Sequence, residues 1–308
     1  MTEQDQPHGI LIVDKPEGMT SHDVVARVRR ILKTKRVGHT GTLDPFATGV
    51  LVLLVGKTTR LAQFIDKDEK EYEATLKLGF ETDTGDKTGV RTDDSGLAED
   101  EIAKRLADVH WDDALAEFRG EIEQVPPMYS AKKVAGKKLY ELARAGKEIQ
   151  RKPVKINITE LEMINENQAS DMNTGIRIRV VCSAGTYIRA LAEDIGRNID
   201  IGAHLKALRR TRAGQFTLDG SVTLDLLESA QDMTPYLRPI EDVVSHLTEF
   251  QLDPSRIEKT KNGLSTRVME GKYKDGQFLR MTDISGNVIA VGVFNESENS
   301  IKPTVVLV

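Results

Sequence analysis

The apolar positions of the chain first predict strands. Continuous apolar runs at residues 9–13 and 50–55 are typical of strands that are buried on both faces. Residues 70–80 instead alternate polar and apolar positions, as a half-buried strand does, and residues 176–182 give a further strand signal. We therefore expect these four segments to form the core strands.

Apolar residues at helical spacing predict three helices between these strands. The first begins at Thr20 or Ser21, the second spans residues 99–109 with an acidic first turn, and the third begins near Tyr187. The first helix leads into residues 27–36, which contain six basic residues and no acidic one. Taken alone, that stretch is typical of a solvated helix face.

The C-terminal part of the chain has a different pattern. Beyond residues 242–244, short strand-like segments are separated by Gly, Asn, Asp and Ser, which predicts a small β-rich domain. We accordingly expect one large domain over residues 1–245 and a second domain over residues 246–308.

Composition restricts the class of protein and its compartment. A hydrophobic content of 39% and a charged content of 30% over 308 residues are typical of a soluble globular protein. The single cysteine, Cys182, cannot form an intramolecular disulfide and is in phase with core positions, so we expect a small core residue in a reducing cytoplasm. The N-terminus lacks the pattern of a signal peptide, and no apolar run approaches the ~18 residues of a membrane helix.

Charge is unevenly distributed along the chain. The net charge of −5 argues mildly against binding to nucleic acid, yet residues 125–155 carry nine basic and two acidic side chains together with Tyr129 and Tyr140. Such a segment can bind phosphates, since lysine and arginine supply most of the non-specific affinity for nucleic acid. A solubilising surface helix explains the composition equally well, so both interpretations stay open.

Residues 35–61 hold the strongest candidate for chemistry. Asp44 lies between a glycine-rich loop, residues 38–42, and the buried run at 50–55, and Pro45 keeps it out of the helical region. A carboxylate on a stiff turn before a buried strand is a good position for a catalytic group. The local pattern alone, however, favours an ordinary Asp-Pro turn.

Several familiar motifs are excluded. The sequence at residues 56–58 resembles the end of a phosphate-binding P-loop, but Leu51 occupies the position where that loop needs glycine. The GxxG spacing at residues 38–41 is too short a pattern to indicate a KH-type RNA clamp. His39 and His204 have no partners at metal-binding spacing, so we expect no metal site.

Six blocks of sequence, in order, resemble the bacterial tRNA pseudouridine-55 synthases of the TruB type. They are LIVDKPEGMTSHDVV, GHTGTLDPFATGVL, KEYEATLKLGFETDTGD, QVPPMYSAKKVAGKKLYELAR, CSAGTYIRALAEDIG and GAHLKALRRTRAGQF. The resemblance implies an α+β pseudouridine synthase fold, with a mixed, mainly antiparallel sheet flanked by helices and a small PUA-like β domain at the C-terminus. It also implies isomerisation of uridine to pseudouridine at position 55, in the T-loop of tRNA.

The resemblance also assigns roles to individual residues. Asp44 would be the catalytic nucleophile and Arg189 its partner, and Lys15 and Pro16 belong to a motif that looks structural. The target uracil would be bound by His39, Tyr72, Tyr187, Arg189 and Leu208. We expect the basic segment to contact the RNA backbone through Lys132, Lys133, Lys137 and Lys138.

The implied reaction exchanges one bond to C1′ for another without a net change of atoms or electrons, so we expect no cofactor. We further expect tRNA, through its T-arm, to be the partner of a monomer that needs no protein partner and no membrane. Two alternatives stay open at this stage. One is an RNA-binding chaperone that folds tRNA, and the other is a pseudouridine synthase with another RNA target or a guide RNA.

Overall fold

The computed structural model describes residues 7–307 apart from 66–67, 95, 97, 131, 135, 148, 165–174 and 270. Its helices are α1 (Ser21–Ile31), α2 (Glu99–Ala107), α3 (Trp111–Ala116), α4 (Leu139–Arg144), α5 (Ile188–Asn198), α6 (Leu224–Ser229), α7 (Glu241–Val244) and α8 (Pro254–Lys261).

The strands are numbered in chain order. The first nine are β1 (Gly9–Lys15), β2 (Val37–Thr40), β3 (Thr48–Val55), β4 (Lys70–Leu78), β5 (Phe80–Thr82), β6 (Arg91–Asp94), β7 (Gly120–Gln124), β8 (Lys133–Val134) and β9 (Lys137–Lys138). The others are β10 (Val154–Met163), β11 (Ile176–Cys182), β12 (Ala203–Ala213), β13 (Phe216–Thr217), β14 (Leu237–Arg238), β15 (Thr248–Gln251), β16 (Thr266–Arg267), β17 (Phe278–Thr282), β18 (Val288–Asn295) and β19 (Ser300–Val306).

The four predicted core strands correspond to β1, β3, β4 and β11, with one difference in length. The segment predicted as one strand over residues 70–80 is divided at Gly79, whose φ of +109° is outside the strand region. The predicted first helix begins after Thr20. There the Thr20 hydroxyl accepts a hydrogen bond from the Asp23 N–H, and the Asp23 carboxylate accepts one from the Thr20 N–H. Cys182 is a buried free thiol, as expected for a core residue.

The central sheet has the strand order β14-β1-β3-β12-β4-β11-β10-β7, with β2 paired to β3 and β13 paired to β12. Each neighbouring pair is antiparallel except β12 and β3, which are parallel. The predicted α+β fold with a mixed, mainly antiparallel sheet is therefore confirmed.

Strand β12 lies in the middle of this sheet, and its sequence pattern does not predict it. Its residues 203–213 contain four positively charged side chains, those of Lys206, Arg209, Arg210 and Arg212, which are unusual in a central strand. Alternate residues nevertheless have different environments. Arg210 is 1% exposed, whereas the half-exposed Arg209 forms a bidentate ion pair with Asp14. Paired arginines thus allow a charged segment to occupy a central position.

Alternate residues of β1 and β3 face two different cores. Leu11, Val13 and Leu53 pack into the main core with α1 and α5, whereas the residues between them face a second core. The second core also contains Leu61, from the 3₁₀ segment Gly56–Phe64, and residues of the C-terminal sheet. Strand β3 is consequently buried on both faces, as its continuous apolar run predicts.

The C-terminal strands form a separate sheet with the order β15-β17-β18-β19-β16. It contacts the rest of the chain through the Arg60 Nη1 donor and the Val306 carbonyl, at 2.9 Å, and through an edge-to-face pair of Phe64 and Phe278. A small β-rich C-terminal domain is thereby confirmed, whereas its PUA-like character and the division between residues 245 and 246 stay predictions. None of the helices in the described residues is long and apolar enough to span a membrane.

Candidate active site

Asp44 lies in the loop between β2 and β3, and neighbouring segments fix this loop. The Ser21 hydroxyl, at the start of α1, accepts from the Leu43 N–H at 2.9 Å and donates to the Leu43 carbonyl at 3.2 Å. The Gly18 N–H donates to the Pro45 carbonyl, and the Asp44 carbonyl accepts from the Ala47 N–H. The loop therefore presents the Asp44 side chain, which is 33% exposed, from a well-defined backbone.

The partner of Asp44 is Arg189, which lies 145 positions further along the chain in the first turn of α5. Arg189 Nε lies 2.9 Å from Asp44 Oδ2, and Arg189 Nη2 lies 3.2 Å from Asp44 Oδ1. The Nη2 contact is a hydrogen bond and the Nε contact is a close ion pair, so the guanidinium holds both carboxylate oxygens of Asp44. The pairing that the resemblance implies is thus present in the geometry.

The remaining donors of Arg189 are also occupied. Its Nη1 donates to the Thr84 carbonyl at 2.9 Å, and its Nη2 donates to the Tyr129 carbonyl at 2.6 Å. A second carboxylate, that of Asp86, lies 3.8 Å from Nη1. Since the Arg189 side chain is 5% exposed, these contacts hold a buried guanidinium rigidly behind Asp44.

Burial and the guanidinium have opposite effects on the Asp44 carboxyl. Burial raises the pKa of Asp44 above its ordinary value, the nearby Asp86 carboxylate adds to that shift, and Arg189 opposes it. Arg189 therefore offsets part of the cost of keeping the charged form in a poorly hydrated place. A carboxylate in this environment can act as a nucleophile, because few waters need to be removed from it.

Tyr72 and Leu208 lie on the same face of the central sheet, on neighbouring strands. In the register of β4 and β12, Tyr72 pairs with Arg210 and Leu208 pairs with Ala74. Both predicted residues are buried, at 8% and 7% exposure. Burial raises the pKa of Tyr72, and the Arg210 guanidinium opposes this shift. An aromatic ring and an apolar side chain thus form one wall of the candidate site.

Arg210 explains two glycines of the Asp44 segment. Its Nη2 donates to the Gly41 carbonyl and its Nε donates to the Val50 carbonyl. Gly41 has a φ of +67°, and a Cβ on it would lie 3.1 Å from Arg210 Nη1. At Gly49, a Cβ would lie 2.2 Å from the Arg210 carbonyl oxygen. Any residue larger than glycine at this position would therefore clash with β12.

Tyr187 is the N-cap residue of α5 and lies half-buried beside the ion pair. Burial raises its pKa, and the negative charge of Asp44 adds to that shift. Both backbone groups of Tyr187 are hydrogen bonded to the carboxamide of Gln124, at 2.8 and 3.0 Å. Tyr72 and Tyr187 therefore both lie near the Asp44–Arg189 pair, and Leu208 lies on the sheet face of Tyr72, while the roles of these residues toward uracil stay predictions.

The other predicted residues lie around this group. His39 is on β2, with its ring packed edge to face on His22 of α1 at 5.3 Å between centroids. Lys15 is fully buried, and its ammonium donates to the carbonyls of Pro16, Met19 and Pro45. Burial lowers the pKa of Lys15 to about 8. These contacts agree with the structural role expected for Lys15.

The four lysines predicted to bind RNA lie near a small hairpin of β8 and β9. Lys132 is half-buried, and its carbonyl accepts from the Leu139 N–H at the start of α4. The side chains of Lys133, Lys137 and Lys138 lie outside the described residues. Their role as phosphate contacts stays a prediction.

The sequence does not predict that three polar residues are buried near the site. These are Asp86, Gln124 and Arg210, which are 4%, 1% and 1% exposed, and only Arg210 stands out in the sequence, as one of four basic residues between 206 and 212. The block that contains Asp86 looks like an ordinary loop, and Gln124 precedes two prolines without any motif of its own. The only available signal was that each lies within one of the six resembling blocks.

A further carboxylate, Glu193, lies one helical turn after Arg189 on α5. A Cβ placed on Gly85, in the loop that carries Asp86, would be 2.6 Å from Glu193 Oε1. Burial raises the pKa of Glu193 to about 7, and the positive charge of Arg197, whose Nη2 lies 3.9 Å away, opposes this shift. The folded protein thus holds a carboxyl that prefers its neutral form near this loop.

We expect Glu193→Gln to stabilise the protein at alkaline pH. Because the folded pKa is raised above the ordinary 4.5, folding becomes less favourable as pH rises from ~4.5 to 7, and the full penalty applies above that range. Removing the charge should raise the free energy of unfolding by about 1–2 kcal/mol at pH 8, with a several-fold smaller gain at pH 5. Urea unfolding at both pH values measures this difference.

The control for this experiment is Glu258→Gln, at an exposed position of α8, which should change stability equally little at both pH values. If Glu193→Gln were no more stable than the wild type at pH 8, the buried carboxyl would not carry the expected penalty.

Comparison with known families matches most of the chain. Residues 29–188 match the TruB family pseudouridylate synthase, N-terminal domain, and residues 189–245 match the tRNA pseudouridylate synthase B C-terminal domain. The N-terminal match alone covers more than half of the 308 residues.

Curated relatives and solved structures agree with these matches. The chain is 42% identical to the tRNA pseudouridine synthase B of Bacillus subtilis (strain 168), over 94% of this chain and 90% of the relative. It is 40% identical to that of Oceanobacillus iheyensis, over 96% of both chains. A chain in the crystal structure of a Cbf5-Nop10-Gar1 complex is 26% identical, with a TM-score of 0.69 over 97% of this chain and 85% of that chain. The chain therefore belongs to the TruB family and is a pseudouridine synthase.

Proposed function

We propose that the chain isomerises uridine to pseudouridine at position 55, in the T-loop of tRNA, with Asp44 as the catalytic nucleophile. The observation that carries the proposal is the ion pair of Asp44 and Arg189, whose carboxylate is close enough to Tyr72 and Tyr187 to affect the pKa of both phenols. The names of the relatives, tRNA pseudouridine synthase B, support tRNA as the substrate class.

The proposed reaction is balanced without a redox partner. The C1′–N1 bond of uridine breaks, the uracil turns, and a new C1′–C5 bond forms, while C5 loses a proton and N1 ends with one. Asp44 forms a covalent intermediate that keeps the two fragments together between these steps. Arg189 holds the carboxylate in orientation throughout, since its other donors are fixed by backbone carbonyls.

The uridine has to leave its stack to reach Asp44, which costs a few kcal/mol. The face formed by Tyr72 and Leu208 receives the flipped base. Stacking on an aromatic ring contributes about 1–3 kcal/mol of binding free energy per base, which offsets part of the cost of flipping. Tyr187 contacts the base from the α5 side. His39, on the strand that leads into the Asp44 loop, enters the space that the base leaves.

The basic segment supplies the affinity that offsets the cost of flipping. We expect replacement of Lys132, Lys133, Lys137 and Lys138 by alanine to weaken tRNA binding and to reduce its salt dependence. Four lost phosphate contacts would lower the slope of log affinity against log salt by about 3–4. Filter binding at several salt concentrations measures both quantities.

Replacing the two lysines Lys259 and Lys261 of α8, together with Lys302 and Lys274, gives a charge-matched control in the C-terminal domain. The proposal expects a smaller change of slope there. An unchanged slope in the quadruple variant of the basic segment would show that this segment does not neutralise phosphates.

The position of the target is tested with two unmodified tRNA transcripts, one with uridine and one with cytidine at position 55. Mass-resolved nucleoside analysis should find one pseudouridine per molecule in the first transcript and none in the second. Product in the second transcript would contradict the proposed position. Binding without product in either transcript would favour a tRNA-folding chaperone or another RNA target.

A monomer that acts on tRNA in the cytoplasm without a protein partner is the simplest form of this proposal. Light scattering of the protein alone and with an equimolar transcript measures the stoichiometry. We expect one chain per tRNA, and a stable dimer in both samples would contradict it.

A further inference from the structure

Gln124 is a buried residue at the end of β7 with an unusual pair of contacts. Its Oε1 accepts from the Tyr187 N–H at 2.8 Å, and its Nε2 donates to the Tyr187 carbonyl at 3.0 Å. With 1% exposure, the carboxamide is shielded from water. The Gln124 carboxamide thus bonds both the N–H and the carbonyl of Tyr187, as a residue of a neighbouring β-strand would.

The place of this contact matters because Tyr187 begins α5. Tyr187 has an extended backbone, with φ −104° and ψ 107°, and its side chain makes no capping hydrogen bond. The direction in which the chain enters α5 therefore depends on contacts to its backbone. Two residues later the same turn carries Arg189, which holds Asp44.

A second contact joins the same two segments. Gln124 lies nine residues before the basic hairpin begins at Lys133, and between them the carbonyl of Tyr129 accepts from Arg189 Nη2 at 2.6 Å. Residues 124–129 consequently touch the first turn of α5 at both Tyr187 and Arg189. The base of the basic segment and the ion pair form one hydrogen-bonded unit.

We propose that Gln124 is a positioning residue, which sets the start of α5 through the two backbone groups of Tyr187 and so holds the Tyr187 ring and Arg189 in their reactive places. This inference rests on the proposed roles of Tyr187 and Arg189. Loss of the carboxamide then slows the chemical step and leaves tRNA affinity nearly unchanged, because the basic side chains are not altered. A role limited to folding would instead lower stability and leave the rate of the folded enzyme unchanged.

Gln124→Glu separates these outcomes, since it preserves the shape of the side chain. An ionised carboxylate accepts from the Tyr187 N–H but repels the Tyr187 carbonyl, whereas a protonated carboxyl makes both bonds. Burial raises the pKa of a carboxyl at this position, so the protonated form is accessible at mildly acidic pH. Gln124→Leu makes neither bond at any pH.

The measurement is the single-turnover rate of pseudouridine formation at saturating enzyme, from pH 6 to 8.5, on an unmodified tRNA transcript. At pH 8.5 both variants should be about 10²-fold slower than the wild type, as expected for a small displacement of reacting groups. As pH falls to 6, Gln124→Glu should recover toward the wild-type rate and Gln124→Leu should not. The dissociation constants for tRNA should stay within about threefold of the wild type.

Gln277→Glu is the matched control. The Gln277 carboxamide also bridges two partners, the Lys274 N–H and the Thr248 hydroxyl, but it lies in the C-terminal domain. Its rate should equal that of the wild type across the pH range. A loss of rate at pH 8.5 and a recovery at pH 6 in Gln277→Glu as large as those in Gln124→Glu would overturn the proposal.

Hydrogen exchange at the Tyr187 amide gives a readout that does not depend on activity. Exchange should be faster in Gln124→Leu than in the wild type, while amides of β3 keep their protection. Wild-type rates in both Gln124 variants, or unchanged exchange at Tyr187, would overturn the proposal. If the wild type itself made no pseudouridine in tRNA, the proposed function would fail, and the exchange at Tyr187 would still decide the positioning role.

Discussion

Asp44→Asn should lower the single-turnover rate of pseudouridine formation by at least about 10⁴-fold while tRNA binding stays close to that of the wild type. The amide has the same shape as the carboxylate and occupies the same loop, but it cannot form the covalent intermediate. It also turns an NH₂ donor or a weaker acceptor toward Arg189, which has only donors to offer. Rate and affinity are measured on the same unmodified transcript.

Glu249→Gln is the control for this experiment, because Glu249 pairs with Arg280 in the C-terminal sheet and lies outside the site. It should keep the wild-type rate. A rate for Asp44→Asn within tenfold of the wild type would exclude Asp44 as the nucleophile. A loss of binding as large as the loss of rate would instead assign Asp44 to substrate recognition.

Arg189→Leu should have the second largest effect, because it acts on both activity and stability. It leaves two carboxylates, Asp44 and Asp86, without their shared guanidinium and two carbonyls without a donor. Breaking a buried pair in this way costs about 3 kcal/mol of unfolding free energy. The rate should fall by about 10³-fold, since Asp44 loses its orientation.

Arg189→Lys distinguishes charge from geometry. It keeps the positive charge, but a single ammonium cannot contact both Asp44 oxygens as the Nε and Nη2 atoms of the guanidinium do, so most of the loss of rate should persist. Arg177→Leu removes an exposed ion pair with Glu73 and should cost less than about 1 kcal/mol. Equal unfolding free energies for Arg189→Leu and Arg177→Leu would contradict the buried network.

The sequence predicts those parts of the fold whose side chains follow a simple period. Strands β1, β3, β4 and β11 were predictable because their apolar residues either run continuously or alternate. Strand β12 was not, since the partners of its arginines include Asp14, Glu71 and backbone carbonyls of the Asp44 segment, all of which are distant in sequence. Periodicity contains no information on such partners.

The candidate site likewise contains residues that the sequence predicts and residues that only the structure reveals. Asp44 stands out locally as a carboxylate on a stiff turn, but Arg189 is 145 positions away, and only the resemblance to a family connects them before the structure does. Gln124 and Asp86 act through backbone groups and a guanidinium that are distant in sequence. Residue type and spacing alone could not have predicted these contacts.

The most direct test of the central claim is a position-resolved map of pseudouridine in an unmodified tRNA transcript after incubation with the wild-type enzyme and, in parallel, with Asp44→Asn. The account predicts complete conversion at position 55 by the wild type, no conversion elsewhere, and no product with Asp44→Asn. Conversion at a different uridine, or equal conversion at position 55 by both proteins, would contradict it.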